Sequence, residues 1–266
     1  MRPRPRKRFG QHFLEPVWAD RVVDGIAPQP SDRFIEIGPG TGVLTTRLAT
    51  RAGHLTVVEI DRDLAAALEQ MSLPGVDVIR GDVLEIDPAL LVSGKPARIA
   101  GNLPYNISSP ILFRLFDWVR QCPSIADATL MVQQEFADRL IAAVGTKDYG
   151  VLTIFTAMAA DARLVFALPP GAFRPMPKVR SALVHLRFRP APVTVGSFDT
   201  FERVVRSIFT QRRKTLGNAA RGVAEAHRRA APEALAAAGI DPVRRPETLT
   251  LEEIARFANV LGSGAP

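Results

Sequence analysis

Residues 102–105 read Asn-Leu-Pro-Tyr and lie at the end of a predicted strand at 97–103. An exocyclic amine on a nucleobase is a poor nucleophile, because its lone pair is delocalised into the ring. The Asn102 amide oxygen and the Leu103 carbonyl could accept hydrogen bonds from such an amine and favour a pyramidal nitrogen. Tyr105 offers an aromatic face on which an extruded base could stack. The pattern indicates chemistry at a base amine, and the alternative is a purely structural turn.

A glycine-rich turn, EIGPGTG at 36–42, lies between another predicted strand and a helix. Glycines in such a turn adopt positive φ and let the backbone approach a ligand closely. The spacing differs from the G-x-G-x-x-G of dinucleotide enzymes, and the missing G-K-[ST] excludes a P-loop. Gly38 and Gly40 are therefore candidate cofactor contacts, with an ordinary tight turn as the alternative.

Two acidic residues follow the next two predicted strands. Glu59 ends a strand 17 residues after Gly42, where a carboxylate can accept hydrogen bonds from both hydroxyls of a ribose. Asp82 follows the third strand and could accept from an adenine amino group, although taken alone it is more typical of a helix cap. The glycine turn combined with the acidic strand end predicts an adenosine-containing cofactor.

Strands that alternate with helices must position these residues. Such alternation predicts an α/β fold with a parallel sheet and right-handed crossovers, whose carboxyl ends gather the candidate residues at one edge. Two late segments, 163–168 and 182–188, predict a closing antiparallel pair at one end of the sheet. The predicted parallel strands are 34–37, 55–60, 76–79, 97–103 and 128–133.

The chain divides into three predicted segments. Residues 1–14 combine a basic arm, in which prolines prevent a helix, with an apolar, aromatic stretch at 9–14. Residues 15–194 would form a Rossmann-like catalytic domain. After a proline-containing linker at 189–197, the apolar periodicity becomes purely helical, which predicts a small all-helical domain at 195–266.

The formal net charge is +7, and the surplus lies at the two ends of the chain. The first 14 residues hold five cations and no acid, and residues 190–266 hold 11 cations and 8 acids. This distribution predicts a polyanionic partner, nucleic acid first, with solubility or codon bias as the alternative.

The single cysteine, Cys122, excludes a disulfide framework and a cysteine-based zinc site, and it fits a reducing, cytoplasmic setting. The histidines share no metal-ligand spacing, so no metal is predicted. No apolar run approaches the ~20 residues that a membrane span needs, and no signal peptide is recognised.

Eight segments distributed over nearly the whole chain resemble the ribosomal RNA adenine N6,N6-dimethyltransferases of the KsgA type. They are FGQHFL (9–14), EIGPGTGVLT (36–45), VVEID (57–61), GDVLEID (81–87), GNLPYNISSP (101–110), FRPMPKVRSALV (173–184), RRKTL (212–216) and ETLTLEEIARFAN (247–259).

The resemblance implies methyl transfer from S-adenosylmethionine to N6 of two adjacent adenosines in the 3′-terminal hairpin loop of 16S rRNA, each methylated twice. The partner would be a small ribosomal subunit or its precursor, and the protein would act as a monomer. Tyr105 and Phe173 would sandwich the target adenine. The implied cofactor contacts are His12, Leu14, Gly38, Glu59, Asp82 and Asn102, and the implied RNA contacts are Arg6, Lys7, Arg8, Arg212, Arg213 and Lys214.

Two departures from the family and two rival functions remain open at this point. Position 12 is His where many members have Asn, so its cofactor contact is made either by the side chain or by the backbone. Gly217 stands where a basic residue is common, so one RNA contact would be missing. A methylase of large-subunit rRNA, of the antibiotic-resistance type, shares fold and mechanism. A non-catalytic RNA-binding factor derived from the same fold would be expected to lose the glycine turn or the Asn-Leu-Pro-Tyr turn, and both are intact here.

Overall fold

The computed structural model describes residues 10–92 and 96–263, which form two compact units. The first unit comprises the described residues up to Ala137 together with Asp161–Arg189, and it carries the sheet. The second comprises Asp138–Ala160 and the described residues from Pro190 onward, and it is helical.

Nine strands and five helices occupy the described chain up to residue 140 and the segment from 160 to 188. The strands are β1 (Phe13–Leu14), β2 (Arg33–Ile37), β3 (His54–Glu59), β4 (Val76–Arg80), β5 (Ala97–Asn102), β6 (Ile125–Gln133), β7 (Ala160–Leu168), β8 (Phe173–Arg174) and β9 (Ser181–Phe188). The helices are α1 (Pro16–Ile26), α2 (Val43–Ala49), α3 (Arg62–Gln70), α4 (Ser108–Gln121) and α5 (Gln134–Leu140).

The main sheet has seven strands in the order β4-β3-β2-β5-β6-β9-β7. The first five pair in parallel, and β9 pairs antiparallel with β6. The chain builds outward from β2 to β4, then returns to place β5 on the other side of β2. This reversal creates a topological switch point between β2 and β5, and ligands bind outside the carboxyl ends of strands at such a point.

The predicted α/β fold is confirmed, including the five parallel strands and the closing pair at one end. The short sheet formed by β1 and β8 was not predicted, because two-residue strands carry no readable periodicity. In this sheet Leu14 pairs with Phe173 and Phe13 with Arg174, which joins the N-terminal segment to the chain before β9.

The helical unit contains α6 (Val151–Ala159), α7 (Phe198–Thr210), α8 (Leu216–Ala219), α9 (Arg221–Ala226), α10 (Ala231–Ala237) and α11 (Leu251–Gly262). Phe155 of α6 packs edge-on against Phe198 and Phe201 of α7, with ring centroids 6.0 and 6.1 Å apart. Residues 138–160 therefore group with the helical unit, whereas the boundary predicted at 195 had assigned them to the catalytic domain. The sequence VLTIFTAMA is apolar nearly all round and gives no sign of which unit it covers.

Arg98 joins four segments at the amino end of the sheet. Its guanidinium donates to Asp127 at 2.9 Å, to Asp32 at 2.7 Å and to the Ile26 carbonyl at 2.9 Å. It also lies over the Phe34 ring, 4.9 Å from the centroid. One largely buried side chain thus ties the end of α1 and the loop before β2 to β5 and β6.

Replacement of Arg98 by Ala should therefore destabilise the protein by about 3 kcal/mol, because it leaves two partly buried carboxylates without their cation. Urea denaturation measures the loss. The matched control is Arg80→Ala, which removes only an exposed ion pair with Glu69 and should cost far less. Equal losses in the two variants would show that the Arg98 network contributes no more than a surface pair.

Candidate active site

A cavity of about 250 Å³ opens at the carboxyl ends of β2, β3 and β5 in the first unit. The N-terminal segment 10–14 forms one wall, and the glycine turn and the 102–105 turn form others. All the predicted cofactor residues and three of the four predicted catalytic residues line it. They are His12, Leu14, Gly38, Gly40, Glu59, Asp82, Asn102, Leu103 and Tyr105.

The glycine turn has a backbone that other residues would adopt only under strain. The φ angles are +65° at Gly38 and +59° at Gly40. A Cβ at Gly38 would meet no protein atom within 4 Å, whereas a Cβ at Gly40 would lie 3.0 Å from the Phe13 ring. Gly38 thus leaves space on the cavity side for a ligand, and Gly40 leaves space for the segment that covers the turn.

Glu59 is only 4% exposed and ties the glycine turn to the end of β3. One carboxylate oxygen accepts from the Gly40 amide at 3.0 Å, and the other accepts from the Asp61 amide at 2.9 Å. Burial raises the pKa of Glu59, while these amide donors oppose the rise. Each oxygen retains a second lone pair, so the carboxylate can also accept from a ligand hydroxyl.

Glu36 lies on the cavity wall and was not among the predicted site residues. It is 1% exposed, and its Oε2 has no hydrogen-bond partner in the part of the chain that the structure describes. Burial raises the pKa of Glu36 to about 8, and the charge of neighbouring Glu59 acts in the same direction. At neutral pH the Glu36 carboxyl is therefore mostly protonated, so it offers a ligand a hydrogen-bond donor or acceptor rather than a negative charge. The feature of the sequence that could have identified Glu36 is an acidic residue within an otherwise apolar strand.

Asp82 lines the cavity and also stabilises the turn that follows β4. Its Oδ1 accepts from the Leu84 amide at 3.0 Å. Residues 83–85 form a turn and not a helix, so Asp82 closes a turn rather than capping a helix. Its second carboxylate oxygen is the one that could accept from a base amine.

The 102–105 turn is fixed by hydrogen bonds on both sides. The Asn102 side-chain nitrogen donates to the His12 carbonyl at 2.7 Å, and the Leu103 amide donates to the Met131 carbonyl at 3.0 Å. Because a carbonyl can only accept, the contact with His12 fixes which way the Asn102 amide is turned. Its oxygen, Oδ1, is therefore the atom that remains to accept from a ligand.

Tyr105 forms the far side of the same turn and is held at both its hydroxyl and its ring. Its hydroxyl is 2.5 Å from the Ser181 Oγ. The imidazole of His12 stacks on its ring, with centroids 5.3 Å apart and an interplanar angle of 24°. The His12 Nδ1 also lies 2.7 Å from the Pro175 carbonyl.

The prediction that Phe173 sandwiches the adenine is not supported by its position. Its side chain is 0% exposed and belongs to the apolar core with Leu14, Ala172 and Leu183. It does not line the cavity. The ring anchors the start of the FRPMPKV loop in the core, so it presents no face to a base in this conformation.

The predicted RNA contacts divide into three groups. Arg6, Lys7 and Arg8 lie outside the described residues. Arg212 donates to the carbonyls of Thr146, at 2.8 Å, and Lys147, so its guanidinium holds a neighbouring backbone segment. Arg213 and Lys214 are exposed, as an RNA contact requires.

A further group of exposed residues was missed from the sequence. Lys178 and Arg180 are exposed in the loop between β8 and β9, together with the apolar side chain of Met176. The Pro175 carbonyl contact with His12 places the start of this loop beside the cavity. The feature of the sequence that could have identified this group is PMPKVR at 175–180, in which Lys178 and Arg180 come after two prolines.

Within residues 10–92 and 96–263, no group of three His, Cys, Asp or Glu side chains is arranged to hold a metal ion. In the same part of the chain, no helix is long and apolar enough to cross a membrane.

The raised pKa of Glu36 predicts a pH-dependent cost to folding. The folded state retains a proton on Glu36 up to a pH of about 8, while the unfolded chain releases it near the ordinary glutamate pKa of 4.5. Stability should therefore fall as pH rises through this window, by at most about 1.4 kcal/mol per pH unit. Glu36→Gln should flatten the fall in denaturant midpoints between pH 5.5 and 8.5, and the exposed control Glu85→Gln should not. Parallel curves for all three proteins would contradict the assignment.

A family model for ribosomal RNA adenine dimethylases matches residues 3–262. The chain is 43% identical to the ribosomal RNA small subunit methyltransferase A of Xanthomonas euvesicatoria, over 96% of this chain and 95% of that protein. It is 42% identical to the protein of the same name from Xanthomonas axonopodis, with the same coverage.

Two solved structures share the fold over nearly the full length. A dimethyladenosine transferase from Plasmodium falciparum superposes with a TM-score of 0.78 at 26% identity, covering 92% of this chain and 96% of that one. The 23S rRNA methyltransferase ErmE superposes with a TM-score of 0.64 at 28% identity, covering 94% and 99%. With a family model that spans almost every residue and a cavity that contains its motifs, the chain belongs to the ribosomal RNA adenine dimethylases.

Proposed function

We propose that this protein transfers methyl groups from S-adenosylmethionine to N6 of two adjacent adenosines in the 3′-terminal hairpin loop of 16S rRNA, dimethylating each. The observation that carries the proposal is the convergence of the glycine turn and the Asn102–Tyr105 turn on one cavity at the switch point of the sheet. The substrate would be the small ribosomal subunit or its precursor in the cytoplasm, with a single chain acting on it.

The cavity fits S-adenosylmethionine, which supplies an activated methyl group on a sulfonium. Gly38 leaves open space against the backbone, and Glu36 Oε2, which has no hydrogen-bond partner among the described residues, can contact a polar ligand atom. Glu59 would accept from the ribose hydroxyls and Asp82 from the adenine of the cofactor. His12 and Leu14, in the segment that lines the cavity, would cover the bound cofactor.

The target amine would lie at the 102–105 turn. Asn102 Oδ1 and the Leu103 carbonyl would accept from the N6 hydrogens and keep the lone pair directed at the methyl group. No strong general base is needed, because a proton on N6 becomes acidic once the nitrogen carries a fourth substituent. Catalysis would rest on the positioning of the two reactants and on acceptors whose orientation is fixed before the reaction. Both would act in a cavity that excludes water from the reacting pair.

The rival functions receive less support. The large-subunit enzyme ErmE has the same fold, but the relatives at 43% identity are named for the small subunit. A non-catalytic RNA-binding factor has no need for a cavity with an orphaned buried acid and an oriented Asn102 amide.

The direct test is to map methylated adenosines on rRNA. Small subunits from a strain that lacks this gene are incubated with the purified protein and S-adenosylmethionine, and digested rRNA is analysed by mass spectrometry. The proposal expects N6,N6-dimethyladenosine at two adjacent positions near the 3′ end of 16S rRNA. Large subunits serve as the control. Methylation of the large subunit alone, or cofactor binding without transfer to either particle, would contradict it.

Glu59→Ala should weaken S-adenosylmethionine binding about tenfold to a few hundredfold, because each hydrogen bond to a charged acceptor contributes roughly 1.5–3 kcal/mol. The variant also loses the acceptor of the Gly40 amide, which loosens the turn. Isothermal titration calorimetry measures the affinity, and Glu85→Ala is the exposed control. Unchanged affinity would remove Glu59 from the cofactor site.

Asn102→Ala should reduce methyl transfer by about 10²–10³, since it removes a preorganised polar group at the reacting centre. RNA affinity should change much less. Single-turnover rates and filter binding separate the two quantities, and Asn218→Ala, an exposed amide of the helical unit, is the control. Equal losses of rate and RNA affinity would mean that Asn102 only positions RNA.

Lys178→Ala combined with Arg180→Ala should weaken RNA binding and make it less dependent on salt. If each side chain contacts one phosphate, the slope of log K against log salt should fall by about 1.4–1.8. The control pair, Arg51→Ala with Arg187→Ala, removes exposed cations near the amino ends of β3 and β6 and should leave the slope unchanged. A slope equal to that of the unmodified protein in both double variants would place the loop away from RNA.

A further inference from the structure

We infer that Arg114 is a positioning residue for the adenine of the cofactor, because it holds the turn from which Asp82 would accept a hydrogen bond from the 6-amino group. The inference rests on the proposed function, since it concerns the S-adenosylmethionine that the cavity would bind. It adds a residue that is not part of the cavity wall but acts on the choice of base in the cofactor.

The turn after β4 is a small closed unit of hydrogen bonds around Asp82. The main-chain carbonyl of Asp82 accepts from the Glu85 amide at 2.9 Å and from the Ile86 amide at 3.2 Å. Its side-chain Oδ1 accepts from the Leu84 amide at 3.0 Å. The direction in which the second carboxylate oxygen points therefore depends on where residues 84–86 lie.

Contacts at both ends hold this turn in place. At its start, the Gly81 amide donates to the Glu59 carbonyl at 3.0 Å. At its end, the Arg114 Nη2 donates to the Ile86 carbonyl at 3.1 Å. The first contact ties the turn to the strand end that would bind the ribose, and the second ties it to α4.

The helix α4 also begins at the turn where the target amine would react. Its first residue, Ser108, donates from Oγ to the Pro104 carbonyl at 2.9 Å. Arg114 lies further along the same helix and reaches the turn that contains Asp82. One helix thus contacts both the turn for the target amine and the turn for the cofactor adenine.

Packing alone does not account for an arginine at position 114. Its Nε is buried and has no hydrogen-bond partner among the residues that the structure describes. A buried donor without a partner costs free energy, and a methionine of similar length would avoid that cost. The bond to the Ile86 carbonyl is the contact that an apolar side chain could not make.

The test compares two ligands that differ at the group that Asp82 would recognise. They are S-adenosylhomocysteine and S-inosylhomocysteine, in which a carbonyl oxygen replaces the 6-amino group. The replacement removes a donor and places an acceptor against the carboxylate. Calorimetry should show that the unmodified protein binds S-adenosylhomocysteine about ten- to 150-fold more tightly, the range for one hydrogen bond to a charged group.

Arg114→Met should lower this ratio of affinities about three- to tenfold, by weakening S-adenosylhomocysteine and leaving S-inosylhomocysteine nearly unchanged. Arg114→Lys keeps a cationic donor and should retain more of the ratio. The matched control is Arg120→Met, which removes an exposed ion pair with Asp117 on the same helix and should leave the ratio unchanged. Partial unfolding of a variant lowers both apparent affinities alike, so the ratio remains interpretable.

Three outcomes would overturn the inference. The first is an Arg114→Met ratio equal to that of the unmodified protein, which is the result of a merely structural role that weakens both ligands alike. The second is an equal fall of the ratio in Arg120→Met, and the third is an unmodified protein that does not distinguish the two ligands. Failure of the proposed function is a different result, because the protein would then distinguish the ligands and yet transfer no methyl group to small-subunit adenosines.

Discussion

A hydrogen bond from the Asn102 side-chain nitrogen to the main-chain carbonyl of His12 joins the N-terminal segment to the carboxyl end of β5. The bond lies at the switch point, where the strand order reverses between β2 and β5, so it connects the N-terminal segment to the position at which ligands bind. It also fixes the orientation of the amide, and thereby leaves Oδ1 as the acceptor for the reacting amine. Two further contacts keep the segment in place, the pairing of β1 with β8 and the packing of Phe13 on Gly40.

The two ends of the sheet have opposite electrostatic character. At the amino end, Arg98 is surrounded by acceptors and its carboxylate partners are paired, which stabilises the fold. At the carboxyl end, Glu36 and Glu59 are buried in one cavity, where burial raises both pKa values. That arrangement costs stability as pH rises, and the buried Glu36 Oε2 remains available to contact a ligand.

The sheet and most of the cavity wall could be predicted because each strand end carries a local signal. The glycine turn, Glu59, Asp82 and the 102–105 turn all follow apolar strands, and parallel topology alone brings such ends together. The resemblance to the rRNA adenine dimethyltransferases added His12 and Leu14 to the predicted cofactor site. Burial within a loop and pairing across the chain have no such local signal. Phe173 looked like a base clamp, yet it is a core residue, because the sequence does not show which side of the FRPMPKV loop faces inward.

The same limit explains the other differences. Arg212 lies in a basic cluster, but its partners are backbone carbonyls 65 and 66 residues away in the sequence. The stack of His12 on Tyr105 joins residues that are 93 positions apart in the sequence, and the unpartnered Oε2 of Glu36 is visible only once the strand is packed. Charge and motif identify candidates for a site, whereas the contacts of each candidate decide whether it is free to act.

The most direct test of this account is a crystal structure of the protein with S-adenosylhomocysteine and a short RNA hairpin that contains the two adjacent adenosines. The account predicts that the adenine N6 lies within hydrogen-bonding distance, about 2.7–3.2 Å, of Asn102 Oδ1. The Asn102 nitrogen should still donate to the His12 carbonyl in that complex. An adenine held elsewhere, or an Asn102 amide turned so that its nitrogen faces the base, would contradict the central claim that this one hydrogen bond orients the catalytic acceptor.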